Sequence, residues 1–200
     1  RITLSIYCSL FLKFNIENYI SAIALISKHI SSTNLNALNN TSIKLPQGRG
    51  EVLKLKQGKI LIDFAHDHLS IFNILSELAN SYNEIIVVFG CGGDRDKSKR
   101  PKMMKVVQDF ASKIFFTSDN NRYESFSSIA SDAMQGNDHS GAEIIEDRQE
   151  AIRSALPHLN NENILVILGK GHETDMEILG KKVPFNDKDC VLKIIGNEIN

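Results

Sequence analysis

The stretch IIVVFGCGGDRDKSKRP (85–101) passes from an apolar run into a loop of glycines and charged side chains. The apolar run predicts a buried strand, and the loop begins where that strand ends. In an open α/β sheet, ligands bind outside the carboxyl ends of the strands, where glycine lets the backbone come close and helix N-termini favour anions. The stretch therefore predicts a parallel sheet with a ligand site at this strand end.

Three more apolar runs end in polar loops of the same kind, ILIDFAH (60–66), IFFTSDNNR (114–122) and ILVILGKGHE (164–173). Strand-like and helix-like segments alternate from residue 48 onward, which is typical of a parallel sheet covered by helices. We therefore predict an α/β fold with a Rossmann-like, mostly parallel sheet, helices on both faces and short antiparallel edge elements. The predicted strands are 59–64, 84–89, 113–117, 143–145 and 163–168, the helices are 15–30 (capped by Asn15), 68–80, 101–112, 124–135, 148–158 and 187–195, and the edge elements are 51–55 and 176–185.

The bulk composition is that of an ordinary globular chain. Of 200 residues, 42% are hydrophobic, and 23 basic against 24 acidic residues give a net charge of −1. This balance offers no attraction to nucleic acid or to an anionic membrane surface, so neither is expected as a partner. Cys8, Cys91 and Cys190 match no disulfide or zinc pattern and favour a reducing, cytoplasmic location. The apolar N-terminal run is too short to span a bilayer, and we expect a monomer.

The 90–101 loop carries four cationic side chains, Arg95, Lys97, Lys99 and Arg100. They supply donors for an anionic ligand, and the glycines let backbone N–H groups turn toward it. The loop is not a phosphate-binding P-loop, because it lacks the Gly-Lys-Ser/Thr ending. The alternative is a turn whose charges lie in water.

Two further loops pair acidic and basic groups. Asp119 and Asn120 suit an ammonium and Arg122 suits a carboxylate, so together they can hold a zwitterion. Glu173, at the end of the 169–173 loop, can accept a hydrogen bond from a substrate amine. The alternatives are an Asp-Asn turn that caps the next helix, with Arg122 in water, and a solvated Glu173. Because neighbouring parallel strands bring their carboxyl ends to one edge, we expect these loops to converge.

Asp63 and His66 follow the first predicted parallel strand. Asp63 suits a ribose hydroxyl or a base edge, and His66 suits a phosphate; the alternative for Asp63 is a capping role. No Cys/His cluster has zinc spacing, and no serine lies in a nucleophile-elbow context. We therefore predict no metal site and no catalytic nucleophile in this segment.

The loops FGCGGDRDKSKRP (89–101), DNNR (119–122) and GKGHE (169–173), in this order, resemble the C-terminal part of the Mur ligases, most closely the MurE type. The resemblance runs over residues 48–196. FNIEN (14–18) and the helix after it resemble the end of the family's central ATPase domain. The resemblance thus implies a remnant of that domain over 1–47 and a C-terminal, amino-acid-binding domain over 48–200.

MurE-type ligases, as the resemblance implies, use ATP and Mg²⁺ to turn the D-glutamate carboxylate of UDP-N-acetylmuramoyl-L-alanyl-D-glutamate into an acyl phosphate. The amine of a diamino acid then attacks it, in a step of peptidoglycan biosynthesis. Such catalysis depends on positioning and charge stabilisation. The resemblance places no catalytic residue in this segment.

The same resemblance assigns binding roles residue by residue. Two arginines favour meso-diaminopimelate over lysine, because the second carboxylate of diaminopimelate needs a cation. The residues matching diamino-acid contacts are Arg95, Asp119, Asn120, Asn121, Arg122, Gly169 and Glu173, and those matching ATP contacts are Asn18, Arg49 and Asp63, with His66 close by.

The chain departs from the family pattern in several places. Asn121 replaces a proline, Gly50 replaces Met or Leu, Leu12 replaces a glycine, and Asp67-His68-Leu69 replace Thr-Pro-Asp. The Gly-Lys-Thr loop, the magnesium ligands, the modified lysine and the UDP-sugar domain are missing, so ATP, Mg²⁺ and the UDP precursor are expected to be bound mainly by domains absent from this chain. We expect the isolated chain to be inactive.

Two other functions stay open at the level of sequence. The substitutions in the motifs also fit a non-catalytic or degenerate amino-acid-binding domain. A folylpolyglutamate synthase shares an Asp-x-Ala-His strand end with residues 63–66, but the GCGGDRD and GKGHE loops argue against it.

Overall fold

The computed structural model describes residues 12–27, 29, 45–137 and 141–198. The apolar segment 1–11 with Cys8 and most of the polar connection before residue 45 lie outside these residues. The chain forms two compact units, 1–46 and 47–200. The assignment of 1–47 to an ATPase domain and of 48–200 to a C-terminal ligase domain stays a prediction.

The first unit contributes helix α1, Lys13–Ile26. The prediction that Asn15 caps this helix is wrong, because Leu12 occupies the N-cap in extended backbone and offers no side-chain cap. The N–H groups of Asn15 and Ile16 donate to the Leu12 carbonyl at 3.0 and 3.3 Å. Asn15 therefore lies within the first helical turn, where its side chain cannot act as the cap.

The second unit alternates strands and helices, as the apolar periodicity predicts. Its strands are β1 (Glu51–Leu55), β2 (Gly58–Asp63), β3 (Glu84–Cys91), β4 (Lys113–Ser118), β5 (Ala142–Ile144), β6 (Asn163–Leu168), β7 (Asp175–Ile178) and β8 (Lys181–Pro184). Its helices are α2 (His68–Leu78), α3 (Lys99–Phe110), α4 (Phe126–Met134), α5 (Arg148–Ala155), which continues into a 3₁₀ turn (Leu156–His158), and α6 (Asp187–Glu198).

Six strands form one sheet in the order β1-β2-β6-β3-β4-β5. All pairs in it are parallel except β1 with β2, which is antiparallel. β7 and β8 form a separate antiparallel hairpin. Strands β2, β6, β3 and β4 are therefore consecutive neighbours that run in the same direction, and the loops after them share one edge of the sheet.

Both faces of the sheet are covered, because successive side chains of the central strands are buried on opposite sides. One face packs Ile86, Val88 and Ile167 against α5 and α6. The side chains at the alternate positions pack on the other face, where the ring of Phe116 lies 5.2 Å from that of Phe89 and 6.0 Å from that of Phe126 in α4. Burial on both sides explains why these strands read as continuous apolar runs.

The predicted fold class is confirmed: the sheet is mostly parallel, with helices and a small antiparallel hairpin. The differences are at element ends. Strand β3 continues through Gly90 to Cys91, and α3 begins two residues before Pro101, at Lys99. The last predicted turn of α5 is a 3₁₀ turn at Pro157, whose missing N–H interrupts the α-helical pattern. No helix in the described ranges is long and apolar enough to cross a membrane.

Candidate functional site

A cavity of about 490 Å³ lies at the carboxyl ends of the parallel strands. It is formed by the loops after β2, β3, β4 and β6 and by the first turns of α3, as expected for an open α/β sheet. Its lining residues are Phe64, His66, Gly90, Cys91, Gly92, Arg95, Asp96, Lys99, Arg100, Met103, Asp119, Asn120, Arg122, Gly169 and Glu173. The predicted convergence of the loops is therefore present in the structure.

The loops after β3 and β4 are held together through backbone contacts. The N–H of Gly93 donates to the Asn120 carbonyl at 2.8 Å, and Nη1 of Arg122 donates to the carbonyls of Gly93 at 2.7 Å and of Asn120 at 3.2 Å. A Cβ on Gly93 would lie 1.9 Å from the carbonyl oxygen of Asn121, so only glycine fits there. The two loops thus behave as one wall of the cavity.

Arg122 is held from a second side by strand β7. Its N–H donates to the Glu177 carbonyl at 2.9 Å, and its Nε lies 3.4 Å from Oε2 of Glu177. Its φ of 51° is in the left-handed region, a conformation that costs energy for a residue with a Cβ. The side chain is 19% exposed. The alternative in which Arg122 lies in water is wrong, and Ser125, not an Asp-Asn turn, caps α4.

Arg95 differs from Arg122 in its environment. It lies on the exposed part of the 90–101 loop and lines the cavity. Its guanidinium makes no hydrogen bond or ion pair with another residue in the part of the chain that the structure describes. Gly92 separates the two arginines, since a Cβ there would lie 3.2 Å from Nη1 of Arg122 and 3.7 Å from Cγ of Arg95. The cavity therefore presents one fixed and one free guanidinium.

Arg100 and Lys97 have a different role from the predicted one. Arg100 is 1% exposed and donates to Asp132 at 2.6 Å, to Glu124 at 2.5 Å and to the Gly92 carbonyl at 3.0 Å. Lys97 lies 3.4 Å from Glu124. Their predicted role as donors to an anionic ligand is corrected: carboxylates from α4 and the segment before it already neutralise them, and Arg100 fixes the glycine loop.

Asn121 also departs from its predicted place. It is 5% exposed, its Nδ2 donates to Oγ of Ser118 at 3.0 Å, and its Oδ1 has no partner among the described atoms. It is absent from the cavity lining. The side chain of Asn121 is thus buried against Ser118 and not in the cavity lining, and its contact with the diamino acid stays a prediction.

Asn120, Lys170 and Glu173 form a hydrogen-bonded group in the cavity wall. Oε2 of Glu173 accepts from Nδ2 of Asn120 at 2.8 Å and from Nζ of Lys170 at 2.8 Å. Oδ1 of Asn120 accepts from Nζ of Lys170 at 3.2 Å and from the N–H of Glu177 at 2.9 Å. Burial acts to raise the pKa of Glu173, but the hydrogen bonds from Lys170 and Asn120 outweigh it and hold the pKa below its usual value.

A second group of side chains surrounds Phe64, which with His66 forms part of the cavity wall. The guanidinium of Arg49 lies 4.4 Å above the Phe64 ring, and the rings of His66 and His172 lie 4.7 and 4.9 Å from it. Arg49 and His66 are exposed. The group combines one aromatic face with cationic or titratable side chains.

Asp63 anchors the turn that carries Arg49. Its Oδ2 accepts from the N–H of Gly50 at 2.6 Å and its Oδ1 from that of Ala65 at 2.8 Å. Burial raises the pKa of Asp63 against the opposing effect of these bonds and of Arg49. Gly50 has a φ of 67°, so the glycine that replaces the family's larger residue suits this turn. Asp67 forms the capping box of α2 in place of the usual Thr-Pro-Asp.

Sequence reasoning missed three buried charges around the site, Lys170, Arg148 and Asp187. Arg148 donates to both carboxylate oxygens of Asp187 and to the carbonyls of Ser118 and Leu168, the last residues of β4 and β6. Nothing in the spacing of Arg148 distinguishes it from a solvated helix residue. Asn18, predicted to contact ATP, lies exposed on α1 in the first unit.

An open, mostly parallel sheet with a charged cavity at its strand ends defines the second unit as a Rossmann-like α/β domain of the kind that binds small ligands. Residues 48–171 match the family described as Mur ligase, glutamate ligase domain. The chain belongs to the Mur ligase family, which confirms the prediction from its loop motifs.

Individual relatives are similar over most of this chain. The UDP-N-acetylmuramoyl-L-alanyl-D-glutamate--2,6-diaminopimelate ligase of Halalkalibacterium halodurans is 36% identical over 192 residues, which cover 94% of this chain and 39% of that protein. A solved structure of a ligase of the same name is 35% identical, with a TM-score of 0.77, over 98% of this chain and 41% of that one. This chain therefore spans about two-fifths of the length of these relatives.

A more distant likeness bears on the folylpolyglutamate synthase alternative. The structure of the Mycobacterium tuberculosis folylpolyglutamate synthase complexed with ADP superposes with a TM-score of 0.64 at 18% identity, over 82% of this chain and 39% of that one. At this level of identity the likeness concerns the fold alone.

Proposed function

We propose that this chain is the amino-acid-binding part of a MurE-type ligase that adds meso-diaminopimelate to UDP-N-acetylmuramoyl-L-alanyl-D-glutamate. The observation that supports it is the meeting of Arg95, Arg122 and Glu173 in one cavity. Relatives named for this reaction, at 36% and 35% identity, support the choice of substrate. In this proposal the protein is a cytoplasmic monomer.

In this proposal, different residues of the cavity bind the carboxylates and the ammonium of the amino acid. The two guanidiniums suit the two carboxylates of diaminopimelate, because each can form paired, charge-assisted hydrogen bonds. Glu173 and Asp119 suit an ammonium on the same ligand. Holding both ends of the zwitterion leaves the remaining amine in a fixed position for attack on an acyl phosphate, so the contribution of this chain is orientation.

The group around Phe64 fits part of an ATP molecule. Arg49 and His66 offer donors to phosphate or to a base edge, beside the half-buried ring of Phe64. Bound ATP supplies the phosphoryl group that activates the acceptor carboxylate. Asp63 contributes by fixing the 48–50 turn through Gly50. Asn18 lies in the first unit, and the ATP contact that the resemblance assigns to it stays a prediction.

The residues present do not fit a resident magnesium site. Within 12–27, 29, 45–137 and 141–198, no group of three or more His, Cys, Asp or Glu side chains is arranged to hold a metal ion. We therefore propose that Mg²⁺ and the UDP precursor are bound by domains of the full ligase outside this segment.

Calorimetric titration of the chain with meso-diaminopimelate tests the proposal. We expect saturable binding that weakens about 10- to 100-fold in Arg122→Ala, because a charge-assisted pair with a carboxylate is lost. Arg95→Ala is expected to weaken diaminopimelate binding more than lysine binding. Arg153→Ala is the matched control, since Arg153 forms an exposed pair with Glu150 at 2.5 Å, away from the cavity.

The same titration, together with an assay of amide formation, distinguishes the proposed binding function from a degenerate domain. Binding of meso-diaminopimelate with no amide formation by the 200-residue chain, given ATP and the UDP precursor, is the expected result for a binding segment. Absence of binding at millimolar ligand would favour a degenerate domain, to which the replacements at Gly50, Asp67 and Asn121 point. Amide formation by the pure chain would contradict the assignment of catalysis to other domains.

A further inference from the structure

Lys170 is a fully buried ammonium at the edge of the cavity, and the function proposed above gives it no role. Its side chain has 0% exposure. A lysine in this environment usually loses its proton or finds acidic partners, because burying an unpaired charge is costly. The residues that Lys170 contacts therefore indicate its role.

The ammonium donates two hydrogen bonds and forms a longer ion pair with a third acceptor. Nζ lies 2.8 Å from Oε2 of Glu173, 3.2 Å from Oδ1 of Asn120 and 3.7 Å from Oδ1 of Asp119. Each of these three acceptor residues lines the cavity, whereas Lys170 does not. The lysine thus lies behind the wall and holds the groups that form it.

Glu173 is bound in a way that leaves one oxygen available. Oε2 takes the hydrogen bonds from both Lys170 and Asn120. Oε1 makes no hydrogen bond to another residue in the described segments, and the side chain keeps 30% exposure at the cavity. One oxygen is therefore an anchor, and the other is an acceptor for a ligand.

We propose that Lys170 is a positioning residue that keeps Glu173 ionised and oriented so that its second carboxylate oxygen receives an ammonium of the incoming amino acid. The inference rests on the proposed function for the identity of the ligand. The hydrogen bond from Lys170 to Glu173 is present without any ligand.

Several charged groups surround Glu173 and enter its titration. Lys170 and His172 lie on its own loop, and Asp119 lies on the loop after β4, with the uncharged Asn120. Arg95, Arg122 and His66 also line the cavity. Removing Lys170 leaves burial as the largest influence, so the pKa of Glu173 is expected to rise above its usual value.

The first experiment measures the pKa of the Glu173 carboxyl by carbon-detected NMR in the wild type and in Lys170→Met, without ligand. We expect a rise of about two units in the variant, about 100-fold in the ionisation constant. Lys182→Met is the matched control, since Lys182 pairs with Asp175 at 3.3 Å but is 75% exposed. An unchanged Glu173 pKa in Lys170→Met would overturn the proposal.

The second experiment titrates meso-diaminopimelate into both proteins between pH 5.5 and 8. At pH 5.5 we expect Lys170→Met to bind about 30-fold or more weakly, because one partner of a buried charge pair is lost. Since the carboxyl of the variant regains its charge as pH rises, the ratio of the two Kd values should fall about three- to tenfold by pH 8. His66 and His172 are present in both proteins, so the ratio isolates Lys170. A loss that is the same at every pH would mean a structural role only.

A double-mutant cycle covers the case in which Lys170→Met does not fold. Lys170→Met combined with Glu173→Gln removes both charges, and it should bind no more than about threefold more weakly than Glu173→Gln alone, because Lys170 acts through Glu173. A double variant that binds much more weakly than Glu173→Gln alone would contradict this. If the wild type does not bind diaminopimelate, the proposed function is wrong. The NMR titration needs no ligand, so it still tests whether Lys170 lowers the pKa of Glu173.

Discussion

Arg148→Met is expected to destabilise the protein by about 3–5 kcal/mol, the usual cost of removing one partner of a buried ion pair. Arg148 and Asp187 both have 0% exposure, and Nε lies 2.8 Å from Oδ1. Burial acts to lower the pKa of Arg148, but Asp187 outweighs it and raises the pKa, so the guanidinium stays charged. The variant would leave a carboxylate in the core with no cation, and urea denaturation would measure the loss.

The loss should extend to the candidate site. The same guanidinium donates to the carbonyls of Ser118 at 3.2 Å and Leu168 at 2.9 Å, the residues directly before Asp119 and Gly169. Arg153→Met is the control for removing an exposed arginine, with an expected change of no more than about 1 kcal/mol. The double variant Arg148→Met/Asp187→Leu should recover part of the stability, because no unpaired charge remains. A single variant as stable as the control would refute the role of this pair.

The fold was predictable because the decisive signals are local. Strand β6 is buried on both faces, so it reads as an uninterrupted apolar run. Asp147 and Asp67, which cap α5 and α2, also act on residues two or three positions away. The parallel direction of β2, β6, β3 and β4 then places the loops at one edge without further information.

The contacts of the charged residues were not predictable, because they depend on partners far away in sequence. Arg100 and Arg95 look alike in the loop, yet Arg100 meets Glu124 and Asp132 across 24 and 32 positions and is buried. Lys170 reads as one more cation of a glycine loop, and only its packing against Asn120, 50 positions away, turns it inward. Sequence spacing therefore predicts which residues form the site, but not which of its charged side chains are already paired with other residues.

The 169–173 loop joins the two groups of candidate binding residues. A Cβ on Gly48 would lie 2.0 Å from the carbonyl carbon of Gly171, so these two backbones are in direct contact. His172 packs on Phe64, the ring over which Arg49 lies, while Glu173 lines the amino-acid cavity. A shift of Gly171 would therefore displace both the proposed ATP contacts and the proposed ammonium acceptor.

Gly171→Ala tests this coupling and should destabilise the protein by about 3 kcal/mol. Gly171 has a φ of +52°, and a Cβ would lie 2.5 Å from the Gly48 carbonyl oxygen and 2.8 Å from Cα of Phe64. The left-handed backbone alone costs about 1–2 kcal/mol, and displacing packed backbone adds a similar amount.

Gly136→Ala separates these two contributions. Gly136 has a φ of +74°, but nothing lies within 4 Å of its Cβ position, so this variant reports the backbone cost alone. Because the clash at Gly171 pushes the loop that carries Glu173, Gly171→Ala should also weaken meso-diaminopimelate binding about tenfold, whereas Gly136→Ala should not. Equal unfolding free energies and equal Kd values for the two variants would mean that the contact between residues 48 and 171 does not hold the site together. A larger loss in Gly171→Ala on both measurements would mean that the backbone contact, and not the flexibility of a glycine loop, is what the second glycine of GKGHE provides.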